Sequence, residues 1–243
     1  FNVDKYIADK IAAINKFFRD EFLDAAVVGL SGGVDSSVVY KLLLAAKNAP
    51  DSPIKRVLGV IVPIDAGTTG QNVATGNARK LANTTSDRVF KNGEFIIVDG
   101  TRAANSIIEQ SPDTDSWAHG QLASIIRTPV FYFQAAIMQT CGFRSLVVGT
   151  TNFSEGSYIG FFGKASDAAV DLQPIADIFK SEVLLVAKAL GVPESILSRP
   201  PTGDIWDGKN SEQLMGFSYD ELEIFLSVME EGEVGLNLHE YDE

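Results

Sequence analysis

The chain has 243 residues, 45% of them hydrophobic, and carries 20 basic against 32 acidic side chains, for a formal net charge of −12. This size and hydrophobic content suit a single domain spanning 1–243, and the acidic excess argues against nucleic-acid binding, which requires clustered cations. The chain has one cysteine, Cys141, and shows no apolar stretch of membrane-spanning length and no signal peptide, so we expect a cytoplasmic protein without an internal disulfide.

Strand-like apolar runs alternate with segments of helical periodicity along the whole chain. This alternation predicts a doubly wound α/β fold, in which helices cover both faces of a parallel sheet. The predicted elements, in chain order, are a helix over 4–23, a strand over 25–30, a helix opening at Val38, a strand over 57–62, a helix over 71–83, a strand over 94–99, helices over 101–110 and 119–141 (bent or restarted at Pro129), a strand over 145–149, a loop over 152–170, a short strand over 171–175, a helix over 178–190 capped by Asp177, a helix over 219–229 and an acidic tail over about 230–243.

The segment between the first strand and the next helix reads Ser31-Gly32-Gly33-Val34-Asp35-Ser36-Ser37. Glycines allow close backbone approach, and free amides with a helix dipole favour negative charge, so the segment predicts a phosphate-binding loop. It matches neither the Walker A pattern nor Gly-x-Gly-x-x-Gly. An ordinary turn with a helix cap is the alternative interpretation.

Ligands of such sheets bind beyond the carboxyl ends of the strands, which selects 31–37, 63–70 and 150–155. Asp35 and Glu155 together offer two hard oxygen ligands for Mg²⁺, although Glu155 alone would be interpreted as a solvated loop acid. Lys180 lies in the first turn of a helix, where a cation opposes the dipole, so a bound anion would explain it. A harmless early lysine is the alternative.

Several ordered motifs resemble those of the NAD synthetases, ligases with an adenine-nucleotide alpha-hydrolase-like fold. The resemblance runs from about residue 4 to about residue 226. The motifs are Ser31-Gly32-Gly33-x-Asp35-Ser36, Gly149-Thr150-x-Asn152-x-x-Glu155, Gly160-Phe161-Phe162-x-Lys164-x-x-Asp167, Asp171-Leu172-x-Pro174-Ile175 ahead of Lys180, Pro201-Thr202-Gly203-Asp204-Ile205-Trp206 and Glu212-x-x-x-Gly216-Phe217-Ser218-Tyr219-Asp220-Glu221.

The resemblance implies an enzyme that uses ATP, Mg²⁺ and ammonia to amidate nicotinic acid adenine dinucleotide. The acid attacks the α-phosphorus, pyrophosphate leaves, and ammonia then displaces AMP from the acyl-adenylate. The implied catalytic residues are Asp35, Glu155 and Lys180. The other implied roles are ATP binding by Ser31, Gly32, Gly33, Asp35, Ser36, Ser37, Arg127, Thr150 and Lys180, metal binding by Asp35 and Glu155, and binding of the acid by Arg127, Lys164, Asp167 and Asp171.

One stretch departs from the family pattern. The family favours Gly-Asn-x-Lys-Ala-Arg-x-Arg where this chain has Gly120-Gln121-Leu122-Ala123-Ser124-Ile125-Ile126-Arg127, so two cations are missing. A related ligase that adenylates another substrate, and a nucleotide-binding relative without catalysis, therefore stay open. The roughly thirty residues before 31–37 are too few for a glutaminase domain, which favours free ammonia. The apolar run over 130–138 predicts a homodimer contact.

Overall fold

A computed structural model describes residues 1–64, 75–79, 81, 94–111, 115–160, 163–200 and 210–231. The predictions for 65–70, for most of the 71–83 helix, for 201–206 and for the tail beyond 231 lie outside these residues. Within 71–83, residues 75–79 and 81 are helical.

Within the described residues, four parallel strands form the sheet, in the order β3-β2-β1-β4. The central strand β1 pairs with β2 through Ala25 and Arg56 and with β4 through Ala25 and Ser145. The strands are β1 (Ala25–Gly29), β2 (Arg56–Ile61), β3 (Glu94–Ile97) and β4 (Ser145–Val148). The valine-rich strands β1 and β4 are almost wholly buried, as expected for a sheet covered on both faces.

Helices pack on both faces of this sheet, which confirms the predicted doubly wound α/β class. They are α1 (Val3–Asp20), α2 (Val34–Asn48), α3 (Thr101–Ile108), α4 (Ser116–Thr140), α5 (Lys180–Ala189), α6 (Glu194–Leu197), α7 (Ser211–Met215) and α8 (Tyr219–Glu231). On one face α1, α2 and α5 enclose a core with Phe18 and Tyr40, and on the other α3 and α4 pack on Val27 and Val60. No helix in the described part of the chain is long and apolar enough to cross a membrane.

Two helix boundaries differ from the predictions. Helix α2 begins at Val34, so Asp35, Ser36 and Ser37 form its first turn and do not lie in a preceding loop. Helix α4 runs without interruption through Pro129. Proline removes one backbone donor and so costs the helix a hydrogen bond, but α4 packs along β1 and β4, and this packing compensates.

The segment after β4 also differs from the expected loop and strand. Ser154–Ile159 forms a short π-helix, and the strand expected over 171–175 is reduced to one bridge between Val148 and Leu172. Helix α5 is not capped by Asp177. The Glu182 carboxylate accepts from the Phe179 amide at 2.9 Å instead, while Asp177 accepts from Tyr6 and pairs with Lys10.

Candidate active site

A cleft lies at the carboxyl ends of β1, β2 and β4, where 29–31, 60–64 and 148–150 continue the three strands. It contains two cavities. The one that we call the apolar cavity is lined by aliphatic and aromatic side chains of β2 and α4, and the one that we call the polar cavity is lined by Asp35, Glu155 and Lys180 near the start of α2. The two cavities share the lining residues Ser31, Ser124, Arg127, Thr150 and Asp167. The structure therefore brings 31–37 and 150–155 together, as the strand rule predicts.

The start of α2 forms one wall of the polar cavity through Gly33, Val34, Asp35 and Ser36. Gly32 has φ +83°, a left-handed conformation that favours glycine and turns the chain sharply into the helix. Gly33 is the N-cap residue of α2 and makes no side-chain capping hydrogen bond. Gly33 and Val34 line the cavity, so the positive end of the helix faces it. Such a helix start favours an anion.

The serines of this segment divide into two groups. Ser31 Oγ accepts from the Gly33 amide at 3.2 Å and lies 3.1 Å from Ser36 Oγ, and both serines line the polar cavity. The Ser36 and Ser37 hydroxyls both donate to the Gly33 carbonyl, at 3.1 and 2.7 Å, but the Ser37 side chain is fully buried. In this structure Ser37 thus holds the first turn of α2 and does not line the cleft.

Lys180, the first residue of α5, joins the two predicted metal ligands. Its Nζ donates to Asp35 Oδ2 at 2.6 Å and to Glu155 Oε1 at 2.9 Å, and its side chain is only 5% exposed. Burial alone would lower the pKa of the Lys180 ammonium, but Asp35 and Glu155 hold that pKa above its usual value. The ammonium is therefore charged at neutral pH, and the two carboxylates offset the unfavourable helix dipole.

Asn152 makes hydrogen bonds to both predicted metal ligands. It is a site residue to which the sequence analysis gave no role. Its side-chain amide donates to Asp35 Oδ1 at 2.9 Å, and its carbonyl oxygen accepts from the Glu155 amide at 3.0 Å. The residue is 1% exposed. The sequence signal for this role was an amide side chain three residues before Glu155, within the motif over 149–155. Such a side chain, once buried, must find hydrogen-bond partners.

Helix α8 supplies a second group that the sequence analysis missed. The Tyr219 hydroxyl donates to Glu155 Oε1 at 2.9 Å, and Lys180 Nζ lies 5.5 Å from the centre of its ring. Burial first, and then the Glu155 carboxylate, raise the pKa of Tyr219, so this phenol is a neutral donor. Tyr219 belongs to the motif over 212–221, but the sequence gives no sign of which face of α8 meets the site.

The apolar cavity is closed by an aromatic ring from α4. A Cβ atom on Gly29 would lie 2.5 Å from Phe131 Cζ, so only glycine lets the ring pack against the end of β1. Val60, Ile61 and Val62 line the same apolar cavity. A flat, largely apolar group such as a nucleobase would fit between these side chains.

The residues predicted to hold the acid are not clustered. Asp167 lines both cavities, whereas Lys164 is exposed in a turn and, among the described lining residues, belongs to neither cavity. The Asp171 carboxylate accepts from the Val147 amide at 2.7 Å and from the Tyr132 hydroxyl at 3.2 Å. In this structure Asp171 therefore fastens the segment after the π-helix to β4, and Arg127 on α4 is the cation that faces both cavities.

The donor set at Asp35 and Glu155 fits Mg²⁺. Both side chains offer carboxylate oxygens and are 19% exposed. Across the described ranges no three His, Cys, Asp or Glu residues are arranged to hold a metal ion alone. A cation here would need water and phosphate oxygens as further ligands, which is how Mg²⁺ usually binds beside a nucleotide.

Comparison with known proteins decides the family. The family model described as NAD synthase matches residues 6–242. The chain belongs to the NAD synthase family. Its members are ligases of NAD biosynthesis that use ATP as a co-substrate, so the predicted family and enzyme class are confirmed.

Individual relatives agree with this membership. An NH(3)-dependent NAD(+) synthetase from Methanocaldococcus jannaschii is 32% identical over 230 residues, which cover 93% of this chain and 83% of the relative. The solved NMN synthetase of Francisella tularensis has a TM-score of 0.79 at 25% identity and covers 94% of this chain and 87% of its own. The solved NH3-dependent NAD synthetase of Campylobacter jejuni has a TM-score of 0.72 at 24% identity, covering 97% and 86%.

Proposed function

We propose that this NAD synthase family member uses ATP and ammonia to amidate nicotinic acid adenine dinucleotide through an acyl-adenylate. A carboxylate oxygen attacks the α-phosphorus, and the bond to the β-phosphate oxygen breaks, so pyrophosphate leaves. Ammonia then attacks the acyl carbon, the bond to AMP breaks, and the nitrogen loses a proton. The free, exposed Cys141 suits the reducing cytoplasm, where we expect the reaction to take place.

One observation carries this proposal: Lys180, Asp35 and Glu155 meet within hydrogen-bond distance at the open start of α2. The first step joins two anions, so its transition state requires positive charge around the phosphates. A buried ammonium and a helix start provide such charge without reorganising during the reaction. In this proposal Lys180 moves from its carboxylate partners to the triphosphate once ATP is bound.

The remaining ATP contacts follow from the two cavities. The triphosphate would lie along 31–37, where Ser31, Gly32, Gly33, Ser36 and Ser37 shape the helix start. The adenine would enter the apolar cavity beside Phe131, and Thr150 and Arg127 would contact ATP between the two cavities. Asp35 and Glu155 would hold Mg²⁺, which neutralises phosphate charge when bound.

The acid would bind on the α4 side of the cleft. Arg127 and Asp167 line this side, and the family resemblance adds Lys164 and Asp171. Helix α4 also exposes Phe133 by 64% and, one turn further along the same face, Ile137 by 40%. We propose that this apolar face forms a homodimer contact, because large exposed apolar patches mark association surfaces.

The test is an assay of the purified chain with ATP, Mg²⁺, ammonium and nicotinic acid adenine dinucleotide. We expect NAD, AMP and pyrophosphate in equal amounts with ammonium, and no NAD with glutamine. Asp35→Asn and Glu155→Gln should each lower the rate at least about 100-fold, whereas the exposed Asp9→Asn should not. Unchanged NAD formation in Asp35→Asn and Glu155→Gln would contradict the metal assignment.

Other outcomes distinguish the alternatives. Pyrophosphate release only with a different acid would indicate a related ligase. ATP binding without turnover of any acid would indicate a relative that acts by binding alone.

A second candidate substrate is the corresponding mononucleotide acid, which lacks the AMP half. The neighbour described as an NMN synthetase has the higher TM-score of the two structures compared above. Ala123 is buried and Ile125 is 42% exposed, at the two positions where the family favours cations. Comparing kcat/KM for the mononucleotide and dinucleotide acids in the same assay separates the two candidates.

A further inference from the structure

Tyr219 contacts the candidate metal site from a helix that contributes no residue to the predicted reaction. It is 5% exposed, and its hydroxyl donates to the same Glu155 oxygen that accepts from Lys180. The Glu155 carboxylate thus receives two hydrogen bonds from the described residues. One donor is the Lys180 ammonium, which sits on a flexible four-carbon chain, and the other is the hydroxyl of the rigid Tyr219 ring.

These two hydrogen bonds must behave differently when ATP binds. Under the proposed function Lys180 leaves Glu155 for the phosphates, so the Tyr219 bond is the one that remains on the Glu155 carboxylate. Without it, the side chain of Glu155 could adopt other rotamers, and its free oxygen would face the metal for only part of the time.

Tyr219 is itself held firmly. Its backbone amide, at the start of α8, donates to Glu212 Oε1 at 3.0 Å. One helical turn later, Glu223 Oε1 accepts from the Ser181 amide at 3.1 Å and from the Ser154 hydroxyl at 3.3 Å. Helix α8 is therefore tied both to the segment that carries Glu155 and to the start of α5.

We infer that Tyr219 is a positioning residue for divalent-metal binding: its hydroxyl holds the Glu155 carboxylate toward Asp35 while Lys180 engages the phosphates. The inference rests on the proposed metal role of Asp35 and Glu155. Partners that orient a metal ligand typically contribute 10- to 100-fold in metal affinity, which sets the size of the expected effect.

The test uses Tyr219→Phe, which removes one hydroxyl and keeps the ring. Mn²⁺ binding is measured by electron paramagnetic resonance with α,β-methylene ATP present, and activity is titrated against Mg²⁺. We expect Mn²⁺ affinity to fall about 10- to 100-fold and the Mg²⁺ requirement to rise in parallel. At saturating Mg²⁺, kcat and the KM for ATP should stay within about threefold of the wild-type values. Tyr219 is inferred to act through metal binding, and saturating Mg²⁺ restores occupancy of the metal site.

Tyr6→Phe is the matched control, because the Tyr6 hydroxyl also donates to a carboxylate, that of Asp177, at 3.2 Å but outside the cleft. It should leave Mn²⁺ affinity unchanged. Wild-type Mn²⁺ affinity in Tyr219→Phe, equal losses in both variants, or a lower kcat without a change in metal affinity would each overturn the inference. A wild-type enzyme that needs no divalent metal would instead refute the proposed function.

Discussion

The cleft has two ends, which we call the phosphate end and the acid end after their proposed ligands. At the phosphate end, Lys180 bonds directly to both Asp35 and Glu155. At the acid end, Lys164 and Asp167 make no such contacts with each other among the described residues, and Asp171 bonds to β4. The Lys180 ammonium at the phosphate end is buried, and a buried charge must be paired in the folded protein itself. The acid end is more exposed, so water can satisfy its charges until a ligand arrives.

This difference has a thermodynamic consequence. Lys180 and a divalent cation would compete for the same carboxylate oxygens. In the absence of ATP, the Lys180 ammonium already neutralises part of the negative charge of Asp35 and Glu155. Under the proposed function, ATP would relieve this competition by offering its phosphates to Lys180. Metal and ATP should therefore bind cooperatively, whereas no such coupling is built into the acid end.

The largest expected effect comes from Lys180→Met. NAD formation should fall about 100- to 1000-fold, since a preorganised positive group is lost at the phosphates. Without nucleotide, however, Mn²⁺ should bind at least about tenfold more tightly, because a competing cation has been removed. Both are measured on one preparation, by the coupled assay and by titration with Mn²⁺.

Lys55→Met is the matched control, because Lys55 pairs with Asp24 at 3.0 Å away from the cleft. It should change neither quantity. Unchanged or weaker Mn²⁺ binding in Lys180→Met would mean that the lysine and the metal do not compete.

Asn152→Ala should have the next largest effect. It leaves Asp35 Oδ1 and the Glu155 amide without their buried partner, so the free energy of unfolding should fall by about 2 kcal/mol. The rate should fall about 10- to 100-fold, because both metal ligands lose their orientation. Urea denaturation and the coupled assay measure the two effects.

The chain offers a close control for this variant in Asn15. Asn15 is also buried, donates to the Ala46 carbonyl at 2.9 Å and accepts from Ser52. Its side chain, however, joins α1 to α2 away from the candidate metal ligands. Asn15→Ala should match the stability loss without the loss of rate. Equal rate losses in the two variants would make Asn152 a purely structural residue.

The parts predicted well from sequence are those governed by local pattern. Valine-rich runs such as 25–30 are recognisable because parallel strands are buried on both faces. Asp35, Thr150 and Glu155 follow strand ends, and the carboxyl ends of parallel strands meet at one edge, so their convergence is a rule of topology.

The parts that were missed depend on contacts distant in sequence. Tyr219 reaches Glu155 across 64 residues, and nothing in the periodicity of α8 says which neighbour it meets. The cap of α5 was assigned to Asp177 because acidic residues favour that position. Phe179 occupies it, and Tyr6 and Lys10, on α1, engage the Asp177 carboxylate.

At the acid end, Asp171 and Asp167 should respond differently to the same truncation. Asp171→Ala removes the acceptor of the Val147 amide, so we expect the free energy of unfolding to fall by about 1–3 kcal/mol. Asp167→Ala should change it by less than about 0.5 kcal/mol and should raise the KM for the acid, because this side chain is exposed and lines the cleft. Urea denaturation with substrate titrations measures both, and equal stability losses would contradict the division of roles.

The smallest effect is expected for Lys164→Ala. Its exposed ammonium is screened by solvent, so the KM for the acid should rise by no more than about fivefold, with kcat and stability unchanged. The rise should shrink at high salt, because exposed charges interact mainly through screened attraction. Lys188→Ala removes an equally exposed cation from α5 and should leave this KM unchanged, which separates a local contact from the overall charge of −12. A KM insensitive to Lys164 would limit recognition of the acid to Arg127 and Asp167, whereas a loss far above fivefold would mean that the acid end closes around its ligand and buries Lys164.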